Sequence, residues 1–510
     1  MHLCLVGSRR IPLDLLILLK KVCISYYPSL TAWLHPFNVA AHTAAVNNAR
    51  SAPSPSIVAN SVTEFERAQE DHPIYNGRPV THRASPIALY NDAFARLTDK
   101  DILHNLSVAD SDNVRAPTTA KLFLAATDIY DTEKERETAI FDYIEYLLEV
   151  KLERHVKMTT AEHSDERDAF ARVPLGNSTF GEKKGVFLCV QVKNELGMGG
   201  NGGLQGALTS MLTNAQYREI RNASCCPCII LSIVGPYICF FGAVLVDIFI
   251  VQPLTDYIYL GGDPFMNDRI FHVANLLGVL ADAVKNLRNY YRLLSPNNKP
   301  QRARLFPNPT YIEKHEHPVG PLHFIKRFND GENNYRRSLF HAKLDGKPVL
   351  VKFCEEYNGH AHRHLAAIGL APKLHFCSKI CGRVTTVIMD FVEGEDAHSK
   401  YGEKALPLNV LDDVKRAVNE LHIEKAGHAV NTKSGQEEVA GVSIGALLVD
   451  FDLAGVDGQA RYPALLNEEI DWVDGVAPMA VMSKEHDLGM LKKLGQRGGP
   501  ELPGQSSPQS

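Results

Sequence analysis

The sequence lacks an excess of positive charge and a regular framework of cysteines. Its 54 Lys and Arg residues are outnumbered by 59 Asp and Glu residues, giving a formal net charge of −5. That balance gives no electrostatic argument for a nucleic-acid or anionic-membrane partner. The ten Cys residues show no framework spacing, which favours a reducing compartment over an oxidising one. With 45% hydrophobic residues, the 510-residue chain is ordinary globular material, long enough for two or three domains.

Long uncharged runs are also scarce. Ile11 to Leu19 is largely apolar but is broken by Asp14, and no small-residue cleavage site follows it. This run permits a signal peptide or a short amphipathic segment. Residues 225–246 carry no charge and are long enough for a membrane helix. Gly235-Pro236 at their centre instead favours a turn between two buried strands, 229–234 and 237–245. We therefore expect an intracellular protein, in the cytoplasm or nucleus, without a membrane span; secretion as an effector stays open as the alternative.

Changes in composition divide the chain into units. Residues 38–60 are rich in Ala, Ser, Asn and Pro and are predicted to be a linker. Apolar periodicity predicts helices over 116–127, 133–156 and 269–293. The predicted segments are 1–60 (poorly structured N-terminus and linker), 61–294 (helical region plus an α/β domain), 295–318 (Pro-rich linker), 319–495 (a second folded domain) and 496–510 (disordered tail).

The C-terminal unit, residues 319–495, contains two segments that point to nucleotide chemistry. In the first segment, Lys352 lies near the end of a predicted apolar strand. In the second, Asp450 lies at the C-terminal end of a predicted apolar strand. A buried-strand Lys can neutralise nucleotide phosphates, and an acid at a strand end can hold their magnesium ion. Between the two, the pattern predicts a succession of antiparallel strands and helices. The predicted strands cover 322–328, 338–344, 349–353, 373–377 and 383–389, and the helices cover 358–368 and 412–421.

This unit resembles the protein-kinase-like family expanded in mushroom-forming (basidiomycete) fungi. The resemblance rests on Val349–Phe353, Ala361-His362-Arg363, Asp450–Gly455, Arg461-Tyr462-Pro463, Ile470-Asp471-Trp472 and Lys484-Glu485-His486-Asp487. It implies a two-lobed kinase-like fold with ATP and Mg²⁺ as cofactors. Lys352 would be the ATP lysine and Asp450 the magnesium aspartate. Met389 and Phe391 would lie in the hinge beside adenine, and Asp487 would be the acid of the central large-lobe helix.

Three departures from the kinase pattern concern catalysis. The turn Asp330-Gly331-Glu332-Asn333-Asn334 has a single Gly and lacks a Gly-rich phosphate cover. His360 stands where a helix should supply a Glu partner for Lys352. After Leu421-His422 the chain offers His428-Ala429-Val430 and then Gly435, where a kinase has His-x-Asp and Asn. Because a Val cannot accept a proton from a substrate hydroxyl, no residue is assigned a catalytic role.

The middle unit, residues 61–294, carries a second motif. Its strand 185–192 exits into Lys193-Asn194-Glu195 and a Gly-rich segment before a predicted helix. Gly197, Gly199 and Gly202 fit G-x-G-x-x-G, but the next strand ends in Gly235-Pro236 and offers no acid for a ribose.

The middle unit resembles the PD-(D/E)XK nuclease-like domain found ahead of kinase domains in Crinkler-type effector proteins. There a strand acid holds a divalent metal, a Lys steadies the attacking water or the phosphate, and a Gln often follows on the next helix. Lys193 and Gln205 fit those positions, and Glu195 lies just beyond. Gln191 stands in the acid's place, and Asp165 and Asp168 are candidates for the upstream acid.

We therefore expect an α+β or α/β multidomain protein: a helical N-terminal region, a PD-(D/E)XK-like domain and a two-lobed protein-kinase-like domain. The predicted function is that of an ATP-binding Ser/Thr-type kinase fold with a degenerate catalytic loop, that is, a pseudokinase. The alternatives are a non-catalytic effector or interaction module, and a nucleic-acid-directed enzyme acting through the middle unit. We expect a protein partner or substrate that the sequence does not identify; it gives no strong nucleic-acid signal, and a membrane partner is not expected.

Overall fold

The computed structural model describes residues 17–20, 37–71, 73–98, 113–159, 164–175, 184–197, 200–295, 302–307, 322–327, 338–381, 384–392, 394, 397–401, 404–423, 445–467 and 470–496. These residues form a mixed α and β protein whose strands are arranged in three sheets.

The helices of the described residues are α1 (Phe37–Ser51), α2 (Pro55–Asn60), α3 (Val62–Asp71), α4 (Ala116–Thr127), α5 (Glu133–Leu148), α6 (Gly202–Gln216), α7 (Arg218–Ala223), α8 (Met266–Leu293), α9 (Gly359–Ala367), α10 (Ala397–Tyr401), α11 (Leu408–Ile423) and α12 (Lys484–Gln496). The strands are β1 (Ile17–Lys20), β2 (Ile74–Tyr75), β3 (Glu153–Thr159), β4 (Ser164–Pro174), β5 (Lys184–Lys193), β6 (Cys228–Val234), β7 (Tyr237–Leu245), β8 (Phe249–Pro253), β9 (Ile258–Tyr259), β10 (Leu322–Arg327), β11 (Ser338–Leu344), β12 (Lys347–Cys354), β13 (Leu374–Cys381), β14 (Val384–Asp390) and β15 (Gly445–Leu448).

The largest sheet lies in the middle unit and has the strand order β2-β8-β7-β6-β5-β4-β3, with β9 paired to β7. Strands β5 and β6 are parallel, as their connection through α6 requires, while β6 and β7 form an antiparallel hairpin. Helix α6 packs on β5, β6 and β7, and α8 packs on β4 and β5. Every residue of β6 is buried, so its run of apolar residues reflects the burial of a central strand.

The two strands predicted within residues 225–246 are confirmed. Strands β6 and β7 pair directly across Gly235-Pro236, with Gly235 at a φ of 55° in the left-handed region that glycine adopts readily. One helix among the described residues, Met266–Leu293, is long and apolar enough to cross a membrane by length and composition alone. Its inward residues, among them Leu277, Leu280 and Val284, are buried in the core of the middle unit.

Two predictions for the N-terminal half need correction. Residues 38–60 are helical in α1 and α2 and do not form a linker; both helices pack on α6. Their Ala residues favour helix, and Pro55 opens α2 at a position where proline is tolerated. The predicted helix 133–156 ends at Leu148, because Glu149 takes a left-handed conformation and the chain then enters β3. Helix α4 has the predicted bounds.

The second sheet lies in the C-terminal unit and has the strand order β10-β11-β12-β14-β13, with all neighbours antiparallel. We call β10–β14 the small sheet. Helix α9 connects β12 to β13, and α9, α11, β15 and α12 surround a separate apolar core. Strand β15 also pairs with β1, which places residues 17–20 of the N-terminal apolar run against the C-terminal unit.

The predicted linker 295–318 is in part a packed segment. Residues Arg302–Leu305 form a short 3-10 helix, and Leu305 and Phe306 are buried. The Phe306 ring stacks on Phe324 of β10, with 5.9 Å between ring centroids. Residues 296–301 and 308–321 lie outside the described part of the chain. One continuous cluster of buried apolar side chains therefore runs from the middle unit into the small sheet.

Candidate functional site

Lys352 lies near the end of β12, at the centre of the small sheet. It faces Leu339 of β11 on one side and Val387 of β14 on the other. Its Nζ donates to Asp450 Oδ1 at 2.5 Å and to Asp452 Oδ2 at 2.6 Å. The Lys352 side chain is 13% exposed, so this ammonium group is held by carboxylates in a largely dehydrated place. The structure thus brings together the two residues that the sequence paired, Lys352 and Asp450.

The backbone around Asp450 explains how its carboxylate reaches the lysine. Strand β15 ends at Leu448, and Asp450 follows with a φ of 71°. Asp tolerates this left-handed conformation better than most residues, and such backbones cluster at functional sites. The N-terminus of α9 holds the following segment, because Asn358 donates through its backbone to Phe451 O and through its side chain to Ala454 O.

The electrostatics of this cluster follow from burial and charge. Burial alone lowers the pKa of Lys352, but the charges of Asp450 and Asp452 outweigh it and raise that pKa above its ordinary value. Burial, followed by the like charge of Asp450, raises the pKa of Asp452, and Lys352 opposes that rise. Lys352 therefore stays protonated, and its charge is shared between two competing carboxylates. Sequence reasoning did not expect Asp452 to pair with Lys352 and considered it only as a substitute base, although Asp450-Phe451-Asp452 was the available signal.

Helix α9 supplies a different residue to the site from the one expected. His360 is exposed, and the side chain that points inward is His362, which is fully buried. The His362 ring stacks on Phe451 at 4.8 Å, and its two nitrogens contact Tyr357 OH and Pro372 O, each at 2.8 Å. Since a carbonyl only accepts, Nε2 carries the proton and Nδ1 accepts from Tyr357. The Tyr357 ring also lies 5.8 Å from Lys352 Nζ, so α9 reaches the site through aromatic contacts.

The expected hinge residues lie at the end of β14. Met389 is buried between Leu350 of β12 and Leu374 of β13, and Phe391 packs its ring against His341 at 4.5 Å. The backbone amide of Asp390 donates to Lys373 O and that of Phe391 donates to Pro348 O. These two amide groups are therefore engaged within the protein, so a purine beside them would need other hydrogen-bond partners.

Asp487, the acid expected in a central helix, lies near the start of α12 and is buried. It accepts a hydrogen bond from His422 Nε2 at 2.9 Å, and Lys484 Nζ donates to His422 O at 2.7 Å. These contacts tie α12 to the end of α11. His428-Ala429-Val430, Gly435 and the turn Asp330–Asn334 lie outside the described residues.

The two carboxylates near Lys352 fit a magnesium–phosphate group. Mg²⁺ is usually held by one or two carboxylates, and substrate phosphates and waters complete its octahedron. Asp450 and Asp452 offer two carboxylates at one point, and Oδ1 of Asp452 is buried without a hydrogen-bond partner. Across the described residues, no group of three or more His, Cys, Asp and Glu side chains is placed to hold a metal by itself. Asp450 and Asp452 are two carboxylates that could hold such an ion together with other ligands.

In the middle unit, Lys193 and Gln205 lie at the junction of β5 and α6. Lys193 Nζ lies 3.3 Å from Glu133 Oε1, an acid at the start of α5 that sequence reasoning missed. Gln191 and Gln205 are both buried, and the side-chain oxygen of each lacks a hydrogen-bond partner. A neutral amide at Gln191 offers a poor metal ligand. The side chains of Asp165 and Asp168 lie outside the described part.

Glu195 has a structural environment. It pairs at 3.1 Å with Arg136, whose side chain is 1% exposed. Arg136 also donates to the carbonyl oxygens of Ala126 and Asp128 and packs over the Tyr130 ring. Glu195 thus neutralises a buried cation that joins α4 to α5, and it is not directed at Lys193.

Comparison of the chain with protein-family models, with curated proteins and with solved structures found no match.

Proposed function

We propose that the C-terminal unit is a protein-kinase-like module that binds ATP with Mg²⁺ and does not transfer phosphate. The observation that carries the proposal is the 2.5 Å contact between Lys352 Nζ and Asp450 Oδ1, two residues separated by 98 positions in the chain. A lysine on the central strand of an antiparallel sheet and an acid just beyond a second strand meet at one point. That pairing of a phosphate-neutralising cation with a metal-holding anion is what nucleotide binding requires.

The local charges favour a ligand that has both positively and negatively charged groups. Lys352 faces two carboxylates, so the cluster Lys352, Asp450 and Asp452 has a formal charge of −1 when all three are ionised. A magnesium ion would balance the carboxylates and free Lys352 to meet phosphate oxygens. A bare anion would be repelled by the carboxylates, and a bare cation would compete with Lys352. Mg-ATP satisfies both groups at once.

The lack of turnover follows from the sequence beyond α11. Val430 stands where a proton-accepting carboxylate belongs, and a positioned general base commonly contributes about 10²–10⁴-fold in rate. Asp452, the other acid at the site, is held by Lys352 at 2.6 Å in the ligand-free protein and would hold magnesium once Mg-ATP is bound, so in neither state is it free to serve as that base. Binding without chemistry suits a pseudokinase that works through conformation or recognition.

The test is a thermal-shift titration of the full chain with Mg-ATP. A ligand that binds only the native state raises the unfolding temperature by mass action. We expect stabilisation in the wild type at millimolar Mg-ATP, and loss of most of it in Lys352→Met and Asp450→Asn. Each variant is compared with its own ligand-free unfolding temperature. Lys347→Met is the matched control, because Lys347 lies on the same strand but is exposed.

Absence of any shift in the wild type would refute nucleotide binding. A radiolabelled-ATP assay with generic protein substrates tests the second half of the proposal. We expect no incorporation above that of Lys352→Met; phosphate transfer that Asp450→Asn abolishes would show that the module is an active kinase.

A further inference from the structure

A buried polar cluster joins the middle unit to the small sheet. Its centre is Arg327, the last residue of β10, whose side chain is 3% exposed. The guanidinium donates to Asp247 Oδ1 at 3.1 Å, to Tyr90 OH at 2.8 Å and to Ser85 Oγ at 3.1 Å. Ser85 Oγ is also 3.0 Å from Oγ of Ser338, the first residue of β11. We call these five residues the Arg327 cluster.

The cluster spans two units of the fold. Arg327 and Ser338 belong to the small sheet, whereas Ser85, Tyr90 and Asp247 belong to the middle unit. Asp247 lies in the turn between β7 and β8, and its side chain is 4% exposed. The middle unit therefore contacts the end of β10 and the beginning of β11 at the same point.

Apolar rings isolate this cluster from water. The Arg327 guanidinium carbon lies 5.1 Å from the centroid of Phe340, which is fully buried. Phe340 in turn packs edge-on against Phe306 and Phe324. Burial, outweighing the opposing effect of Arg327, raises the pKa of Tyr90, so its hydroxyl stays protonated. The hydrogen bonds to Tyr90 and Ser85 help to stabilise this buried ion pair, because either charge alone would be strongly destabilising in such a place.

The cluster lies one strand away from Lys352. Ser338 pairs with Phe353 and Leu339 pairs with Lys352 across β11 and β12. Contacts that hold the beginning of β11 in place therefore also restrain β12, the strand on which Lys352 lies.

We propose that the middle unit is the permanent intramolecular partner of the small sheet, and that Asp247 and Ser85 set the local stability of β10, β11 and β12. The middle unit contributes three of the five residues of the Arg327 cluster and shares an apolar core with the small sheet. The Arg327–Asp247 and Ser338–Ser85 pairs are separated by 80 and 253 positions in the chain. Loss of these contacts should therefore make local unfolding of β10, β11 and β12 easier. This inference concerns the apo protein and holds whether or not nucleotide binds.

Hydrogen exchange measured by mass spectrometry on the full chain tests it. Asp247→Asn keeps the side chain's shape but removes the charge that Arg327 needs. We expect amides in residues 322–327 and 338–354 to exchange at least about tenfold faster, as a local opening becomes easier. Amides in α11 and α12, on the separate core, should keep their wild-type rates. The control is Asp256→Asn, an exposed acid of the same unit.

Unchanged exchange in 322–327 and 338–354 would overturn the proposal, and so would an equal acceleration in α11 and α12, which would mean global destabilisation. Because Asp247→Asn leaves Arg327 buried without its counter-charge, a milder variant decides the matter if that protein does not fold. Ser85→Ala removes one neutral hydrogen-bonding group from both Arg327 and Ser338. We expect a smaller acceleration, about twofold to fivefold, in the same two segments; no acceleration there would equally overturn the proposal.

Discussion

At the scale of single residues, two buried histidines are held neutral by the fold. Burial lowers the pKa of His362 to about 4, although its contact with Pro372 O partly opposes this. Burial lowers the pKa of His42 to about 4 as well, against the opposing contact of its Nδ1 with Val246 O. In the unfolded chain both titrate near 6.5. Between pH 4 and 6.5 the unfolded state therefore binds more protons than the native state. The free energy of unfolding rises with pH in this range and is lost as the pH falls from about 6.5 toward 4.

We predict that His362→Gln weakens this acid sensitivity. Gln can donate to Pro372 O and accept from Tyr357, but it does not titrate. In the wild type, lowering the pH from 7 to 5 should remove about 2 kcal/mol through His362 alone, and the variant should lose that much less. Urea unfolding at both pH values measures the difference. His323→Gln, an exposed histidine on β10, is the control and should lose as much stability as the wild type. An unchanged pH dependence in His362→Gln would show that His362 is not the titrating group.

The same scale shows how buried lysines find their partners. Lys352 is paired with Asp450 and Asp452, and Lys193 with Glu133, in each case with an acid distant in the chain. Lys193 does not pair with Glu195, the acid nearest to it in sequence, because Glu195 pairs with Arg136. The chemistry of each motif therefore depends on which carboxylates the fold places next to its lysine.

At the scale of elements, α6 lies unusually close to the sheet that it crosses. A Cβ built on Gly206 would lie 2.5 Å from Ile230 Cγ2 and 3.2 Å from Gln191 Cγ. Glycine at this position allows the helix to pack on β5 and β6 and to bury Gln191 and Gln205 beneath it. By contrast, a Cβ on Gly278 of α8 would meet only Arg115 Nη1, at an ordinary 3.7 Å.

We predict opposite effects of the same substitution in these two helices. Gly206→Ala should destabilise the protein by about 1–3 kcal/mol, because overpacking at the sheet exceeds the gain in helix propensity. Gly278→Ala should stabilise it by about 0.5–1 kcal/mol through reduced flexibility of the unfolded chain. Chemical denaturation of the two variants beside the wild type gives both values. Equal effects of one sign would contradict the close approach of α6.

At the scale of the whole molecule, the units inferred from composition do not correspond to independent cores. One apolar cluster covers the middle unit and the small sheet, while a second covers α9, α11, β15 and α12. The boundary between cores thus passes through the C-terminal unit and not through residues 295–318. Phe306, within that predicted linker, packs on Phe324 and Phe340.

We predict that a fragment of residues 318–496 does not fold to a native-like state. It leaves Arg327 without Asp247, Ser85 and Tyr90, and it removes Phe306 from the small sheet. A longer fragment, residues 37–496, keeps those contacts and serves as the matched control. Near-ultraviolet circular dichroism and size-exclusion chromatography should show fixed aromatic packing and a compact monomer or defined oligomer only for the longer one. A monomeric 318–496 fragment with sharp tertiary signals would show that the small sheet needs no partner.

Much of the local structure was determined by the sequence. Helix α4, the β6–β7 hairpin and the succession of strands and helices from β11 to β14 agree with apolar periodicity and with the positions of Gly and Pro. These are short-range properties, since a helical or strand pattern and a turn residue act within a few positions of the chain. Lys352 and Asp450 were also predicted to serve one nucleotide site, from their positions near the ends of two apolar strands and from the resemblance, but their direct contact was not predicted.

The tertiary structure alone decided which side chains meet. The local sequence pattern does not specify which distant residues come close in space. The fold alone shows that Asp452 is the second partner of Lys352, that Glu133 lies beside Lys193 and that Arg327 pairs with Asp247. It also shows that His362, and not His360, is the inward histidine of α9. Packing on α6 also stabilises the helices of residues 38–60, whose Ala residues favour helix although the composition as a whole is typical of linkers. The physical reason is burial. A charge removed from water is destabilising unless it is paired, and only the assembled fold determines which opposite charge is close enough to pair with it.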